Sequence, residues 1–147
     1  MMRPKILVAE SEVSTARFLR AALESAEYQV LPASDGDAAL KILRTQKTAL
    51  VLLGANLPGF SSRQILLRVR ADSRMGNLPV IILGEPASTE ESVEWLMLGA
   101  DDYITKPVSA RLLIALVHAK IRRSEKYQAE VASPGVPSLQ VVHTGTA

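Results

Sequence analysis

Leu50-Val51-Leu52-Leu53-Gly54-Ala55-Asn56-Leu57-Pro58-Gly59 is the stretch on which the fold turns. Four apolar residues in a row, without polar alternation, read as a strand covered on both faces, and such strands belong to parallel sheets with helices above and below. The Pro-Gly turn that follows ends the strand at Gly54. Open α/β sheets place their ligands at the carboxyl ends of their strands. A glycine at that junction brings no side chain to the chemistry done there.

Working outward, strands are expected at Lys5 to Ala9, Gln29 to Ala33, Leu50 to Leu53, Val80 to Leu83 and Asp102 to Thr105. Helical periodicity fills the gaps. Ala16, Leu19, Leu23 and Ala26 share a face of the first helix, and Asp35 is the expected N-cap of the second, which turns Ala39, Ile42 and Leu43 inward. The third runs from about Ser62 to Ala71 with Ile65 and Val69 inward. Ser88-Thr89-Glu90-Glu91 fits a capping box for the fourth, which is expected to bury Val93, Leu96, Met97 and Ala100. The fifth is expected from Ser109 to about Arg123, with Leu112, Leu113, Leu116 and Ala119 on its core face. Five strands, each followed by a helix, give an α/β fold: a flavodoxin-like, doubly wound, five-stranded parallel sheet with five flanking helices.

The chain has 147 residues, enough for one domain and its core. Residues 1–123 read as that domain and residues 124–147 as a linker or disordered tail, since Ser133-Pro134-Gly135-Val136-Pro137 breaks the helical pattern. Without cysteine there are no disulfides or cysteine-zinc sites, and His118 and His143 lie too far apart in sequence to suggest a metal pair. The short apolar run Ile6 to Ala9 is neither a signal peptide nor a membrane span, so a cytoplasmic protein with no membrane partner is expected. A net charge of +2 is mild, and the clusters Arg63, Arg68, Arg70, Arg74 and Lys120, Arg122, Arg123, Lys126 read as solvated helix faces. Nucleic acid is therefore not expected as a partner on this reading.

The residues at the strand ends are Glu10, Ser11 and Glu12; Gly54, Ala55 and Asn56; Gly84 and Glu85; and Lys106-Pro107. With Ile6-Leu7-Val8, Leu57-Pro58-Gly59, Pro79-Val80-Ile81-Ile82 and Gly99-Ala100-Asp101-Asp102-Tyr103-Ile104-Thr105-Lys106-Pro107, the stretch from about residue 4 to 123 resembles a response-regulator receiver domain. The resemblance implies an acidic pair holding Mg²⁺ at positions 10 and 11, a phosphoacceptor aspartate at 54, a hydroxyl at 84 and a phosphate-pairing lysine at 106. It also implies a cis peptide at Lys106-Pro107, a switch-like aromatic at Tyr103 and a metal-binding backbone carbonyl at Asn56. Only Glu10 and Lys106 keep compatible chemistry; Ser11, Gly54 and Gly84 do not, and Glu85 replaces a small residue at the pocket mouth.

No aspartate lies between residues 38 and 71 to stand in for the acceptor, and Ser11 has no activating base in this pattern. The expectations that follow are no catalytic residue, no enzyme, no cofactor and no useful Mg²⁺ affinity, since a hard cation needs several oxygen ligands. Lys106 is expected to seek Glu10 or Glu85 as ion-pair partner. Tyr103 either fills the space vacated at Gly84 or is an exposed aromatic without a switching role. Function then falls to the surface: Trp95 and Leu98 on the fourth helix, and Ile114, Val117 and Ile121 on the fifth, are expected to form a sticky face with the fifth strand. On that view the chain is a phosphorylation-independent, receiver-like module acting through protein contacts as adaptor, localisation or dimerisation domain, with a homodimer as one outcome. The alternative is a regulatory receiver of a larger signalling protein that senses a ligand other than phosphate.

Overall fold

A computed structural model describes residues 2–132. The strands are β1 (Lys5–Ala9), β2 (Gln29–Ala33), β3 (Leu50–Gly54), β4 (Val80–Gly84) and β5 (Asp102–Thr105), alternating with α1 (Val13–Ser25), α2 (Gly36–Thr45), α3 (Ser62–Ala71), α4 (Thr89–Met97) and α5 (Ala110–Ala132). All pairings are parallel and the strand order is β2-β1-β3-β4-β5. This is the doubly wound arrangement, in which the order reverses at β1 and β3 and opens a crevice at their carboxyl ends.

Successive residues of the central strands feed opposite cores, as strand geometry requires. Leu7, Val51, Leu53, Val80 and Ile82 pack with Ile65, Val69 and Trp95 on the side of α2, α3 and α4. Ile6, Val8, Leu50, Leu52, Ile81 and Leu83 pack with Leu19, Leu23, Leu113 and Val117 on the side of α1 and α5. β3 and β4 are buried along their whole lengths, which is why they read as unbroken apolar runs. The expected caps are present: Asp35 accepts from the Ala38 amide at 2.7 Å, and Ser88 and Glu91 complete the box that starts α4.

α4 is rotated from the expected setting. Trp95 is buried at 5% exposure, whereas Val93, Leu96 and Met97 are 48%, 50% and 83% exposed. Ala100, used to set the phase of the stripe, lies beyond the C-cap Leu98 and after Gly99, whose φ of +111° turns the chain into β5. Its burial therefore says nothing about the helix's rotation. Burying the indole removes the larger apolar area from water, and Arg63 stacks over its ring at 4.9 Å.

α5 is corrected in the same way. Leu113, Val117 and Ile121 form the buried stripe at spacings of four, Leu112 is exposed, and Leu98 and Ile114 are partly buried against the cores. The proposed partner face of Trp95, Leu98, Ile114, Val117 and Ile121 is thus mostly interior. α5 also does not stop at Arg123 but continues through Ala132. The rest of the expected tail, residues 133–147, lies outside the described residues.

The arginine-rich α3 segment is not simply a solvated face. Arg70 donates to the carbonyls of Gly99 (2.8 Å), Gly76 (3.2 Å) and Leu78, and pairs with Asp101 at 2.8 Å. It ties the loop before β4 to the loop before β5. No helix among the described residues is long and apolar enough to cross a membrane.

Candidate functional site

The carboxyl ends of β1, β3, β4 and β5 bring Glu10, Gly54, Gly84 and Lys106 to one place, and the chain's own side chains close it. Glu10, at 5% exposure, is one of two buried polar residues among those described. Its Oε1 faces the Lys106 ammonium at 3.1 Å, and no other donor reaches that oxygen. Its Oε2 accepts from the Glu12 amide at 2.9 Å. Of the two partners expected for Lys106, Glu10 is the one found. Glu85 is exposed and forms no ion pair with the lysine.

Glu12 is a second carboxylate on Lys106, at 3.7 Å, a pairing not expected from the sequence because the resemblance assigns the acidic pair to positions 10 and 11. It stands at the N-cap of α1, where a carboxylate suits the helix dipole. The Thr15 hydroxyl, and after it the Lys106 ammonium, hold the Glu12 carboxyl below the usual carboxylate range. The Lys106-Pro107 peptide is cis, as expected.

Gly54 lies directly beneath this pair. A Cβ at position 54 would meet Glu10 Oε1 at 3.2 Å and the Ala9 carbonyl at 3.1 Å, so the Glu10 carboxylate occupies the space into which a side chain at 54 would grow. The Gly54 carbonyl accepts from the buried Ser62 hydroxyl at 2.5 Å, a contact that fixes the start of α3 and gave no sequence signal. Ser11 and Asn56 are exposed at the rim.

At the end of β4 the vacancy is filled. Tyr103, half-buried, turns inward and its hydroxyl donates to the Glu85 carbonyl at 2.7 Å. A Cβ on Gly84 would overlap that hydroxyl. Of the two readings for Tyr103, the inward one describes this structure. Burial, followed by the nearby charges of Glu91 and Glu85, raises its phenol above the ordinary value of 10.0.

The comparisons with known proteins agree with this fold. The model of the response regulator receiver domain matches residues 6–118. The chain belongs to that family. Among solved structures, the receiver domain of Francisella response regulator 1452 superposes with a TM-score of 0.76 at 33% identity, over 83% of this chain and 99% of that one. A CheY-like receiver domain protein from Methanospirillum hungatei gives 0.78 at 26% identity, over 85% of this chain and 98% of that one.

Among curated relatives, the DNA-binding response regulator MtrA of Mycolicibacterium smegmatis is 35% identical over 149 residues, covering 98% of this chain and 64% of that protein. The alkaline phosphatase synthesis transcriptional regulatory protein PhoP of Bacillus subtilis is 40% identical over 124 residues, 84% of this chain and 51% of that protein. The chain thus spans between half and two thirds of the relatives it matches. Their names correct the partner expectation drawn from composition: MtrA is a DNA-binding response regulator and PhoP a transcriptional regulatory protein, and a mild net charge on the receiver portion was no ground for setting nucleic acid aside.

The Mg²⁺ that the family implies does not fit the residues present. The single buried carboxylate, Glu10, already has one oxygen on the Lys106 ammonium and the other on a backbone amide. Position 54 adds no oxygen ligand from a side chain. The other carboxylate in reach, Glu12, is engaged by Thr15 and Lys106. A small hard cation requiring near-octahedral oxygen ligation has too few groups to hold it here.

Proposed function

We propose that this receiver works without accepting a phosphoryl group, as a regulatory module whose pocket is held closed by the Glu10–Lys106 pair. The observation that carries the reading is the Glu10 carboxylate lying over Gly54 with Lys106 at 3.1 Å. Acyl-phosphate formation requires an in-line carboxylate and cations to absorb developing charge. Here no carboxylate is attached at 54, and the cation at 106 is neutralised by an internal anion. The inward Tyr103 supports the same reading, because its hydroxyl occupies the place of any side chain at 84. The names of the relatives extend the proposal to transcriptional control, served by a receiver whose state is set by its own sequence.

The test is to expose the protein to acetyl phosphate, and separately to beryllofluoride with Mg²⁺, while recording amide NMR spectra and intact mass. Unchanged resonances at Gly54, Gly84 and Lys106, with no added phosphate mass, are expected. A stoichiometric adduct, or shifts centred on those residues, overturns the reading.

A further inference from the structure

We infer that a cleft at the opposite, amino end of the sheet binds a nucleotide-class ligand, one that joins phosphate groups to a planar ring. The cleft has a volume of about 740 Å³ and lies between the last turn of α2, the loops before β3 and β4, and the carboxyl half of α5. That size suits a small-molecule site, and its lining follows the usual pattern of an apolar floor with a few placed polar groups. Leu43, Leu78 and Ile121 form the buried floor. Tyr127, an aromatic ring 37% exposed, stands at one side.

The charges select an anion. Three cationic side chains, Arg44, Lys47 and Arg74, line the cleft against one carboxylate, Glu125. The side chains of Arg44 and Lys47 make no hydrogen bond or ion pair among the described residues. Arg74 holds Asp72 only at 3.4 Å with its side chain 78% exposed, so its guanidinium is not committed to that pair. Arg44, in the last turn of α2, complements the helix dipole. Lys47 and Arg74 stand on different loops and have no such duty. Guanidinium and ammonium groups set on separate segments around one cleft are the recognition chemistry of phosphate esters.

The ring requirement comes from Tyr127, whose partly exposed aromatic face stands beside the apolar floor of Leu43, Leu78 and Ile121 and offers a planar group a surface to stack on. Ile121, Ser124 and Tyr127 belong to the same helix, so a ligand bridging them to the cationic side chains would fix the carboxyl half of α5 against the body of the domain. The inference does not depend on the state of the pocket at the other end. The two readings fail separately.

The experiment titrates the full chain with ADP and, in parallel, with pyrophosphate, following amide NMR shifts and calorimetry. ADP is expected to shift residues 44–49, 73–78 and 124–128. Lys47→Ser together with Arg74→Ser should weaken binding of both probes by at least about tenfold, as expected for lost charge-assisted contacts. Tyr127→Ala should weaken ADP but not pyrophosphate. Absence of these shifts with ADP, or shifts centred on Lys106, overturns the inference. Equal binding of the two probes with no effect of Tyr127→Ala overturns the assignment of a ring-bearing ligand.

Discussion

At the carboxyl end of the sheet Glu10, Glu12 and Lys106 are paired with one another, while at the amino end the side chains of Arg44 and Lys47 have no partner among the described residues. Both ends are rims of the same parallel sheet, yet one has turned its charges inward and the other leaves them to solvent or a ligand. The difference shows where charge holds the fold together and where it is free for other use. Substitutions at the closed end should cost stability; those at the open end should not.

The largest effect is expected for Lys106→Met. It leaves the carboxylate of Glu10, 4% exposed at its side chain, without its counter-charge. Removing one partner of a buried pair is more damaging than never having built it, and the expected loss is about 3 kcal/mol in urea denaturation. The double variant Lys106→Met with Glu10→Met should recover most of that loss. Wild-type stability in the single variant would show that the pair does not hold the pocket.

Next is Gly84→Thr, which restores a hydroxyl to β4 but places its Cβ on the Tyr103 hydroxyl. The ring must leave, and its hydrogen bond to Glu85 is lost. About 2 kcal/mol is expected from overpacking and the broken bond, together with greater solvent exposure of Tyr103. An unchanged tyrosine environment in that variant would mean that Gly84 is not what keeps the ring inward.

Gly54→Asp should cost less, about 1 kcal/mol, because Lys106 can be shared between two carboxylates. The new Cβ meets Glu10 Oε1 at 3.2 Å, which forces the like charges together. Millimolar Mg²⁺ should raise the melting temperature of this variant and leave the wild type unmoved, since only the variant adds a carboxylate at position 54 that Lys106 and Thr15 do not already engage. A wild-type response to Mg²⁺ would contradict the misfit described above.

A pH titration sharpens the same contrast. The raised phenols of Tyr103 and Tyr28, both caused first by burial, mean that the folded chain holds their protons more tightly than the unfolded chain. Their contribution is complete below the ordinary value of 10.0 and is lost as pH rises through the higher folded values. Phenolate absorbance and thermal melts across that alkaline range should show late ionisation accompanied by falling stability. In Gly84→Thr the Tyr103 component should return toward the ordinary value.

How much of this was legible in the sequence follows from the range of the forces involved. Leu50 to Leu53 and Val80 to Leu83 announce buried parallel strands locally, and the glycines after them mark the emptied positions. Those positions narrowed the partner of Lys106 to Glu10 or Glu85, and the structure selects Glu10. The rotation of α4 was not legible, because Ala100 looked like a helical residue and sits beyond the cap. The role of Arg70 was hidden as well: its partners are backbone carbonyls at Gly76, Leu78 and Gly99, which carry no side-chain signature. The cleft needed the last turn of α2, two loops and the carboxyl half of α5 to be placed in space, and its residues share no motif.

Lys47→Ser is expected to have the smallest effect on stability, within about 0.5 kcal/mol of zero, because an exposed side chain with no partner has little to lose. Its value lies in the pairing with Lys106→Met. Both remove one lysine charge, so the change in net charge is the same and the general field of the protein is altered alike. What differs is the neighbour: a buried carboxylate for Lys106, solvent for Lys47. If the two variants lose similar stability, net charge rather than pairing governs both ends. If Lys47→Ser is neutral alone yet removes the stabilisation that added ADP gives the wild type, its charge contributes to the folded state only through a bound ligand, as linkage requires of a group that acts in the complex and nowhere else.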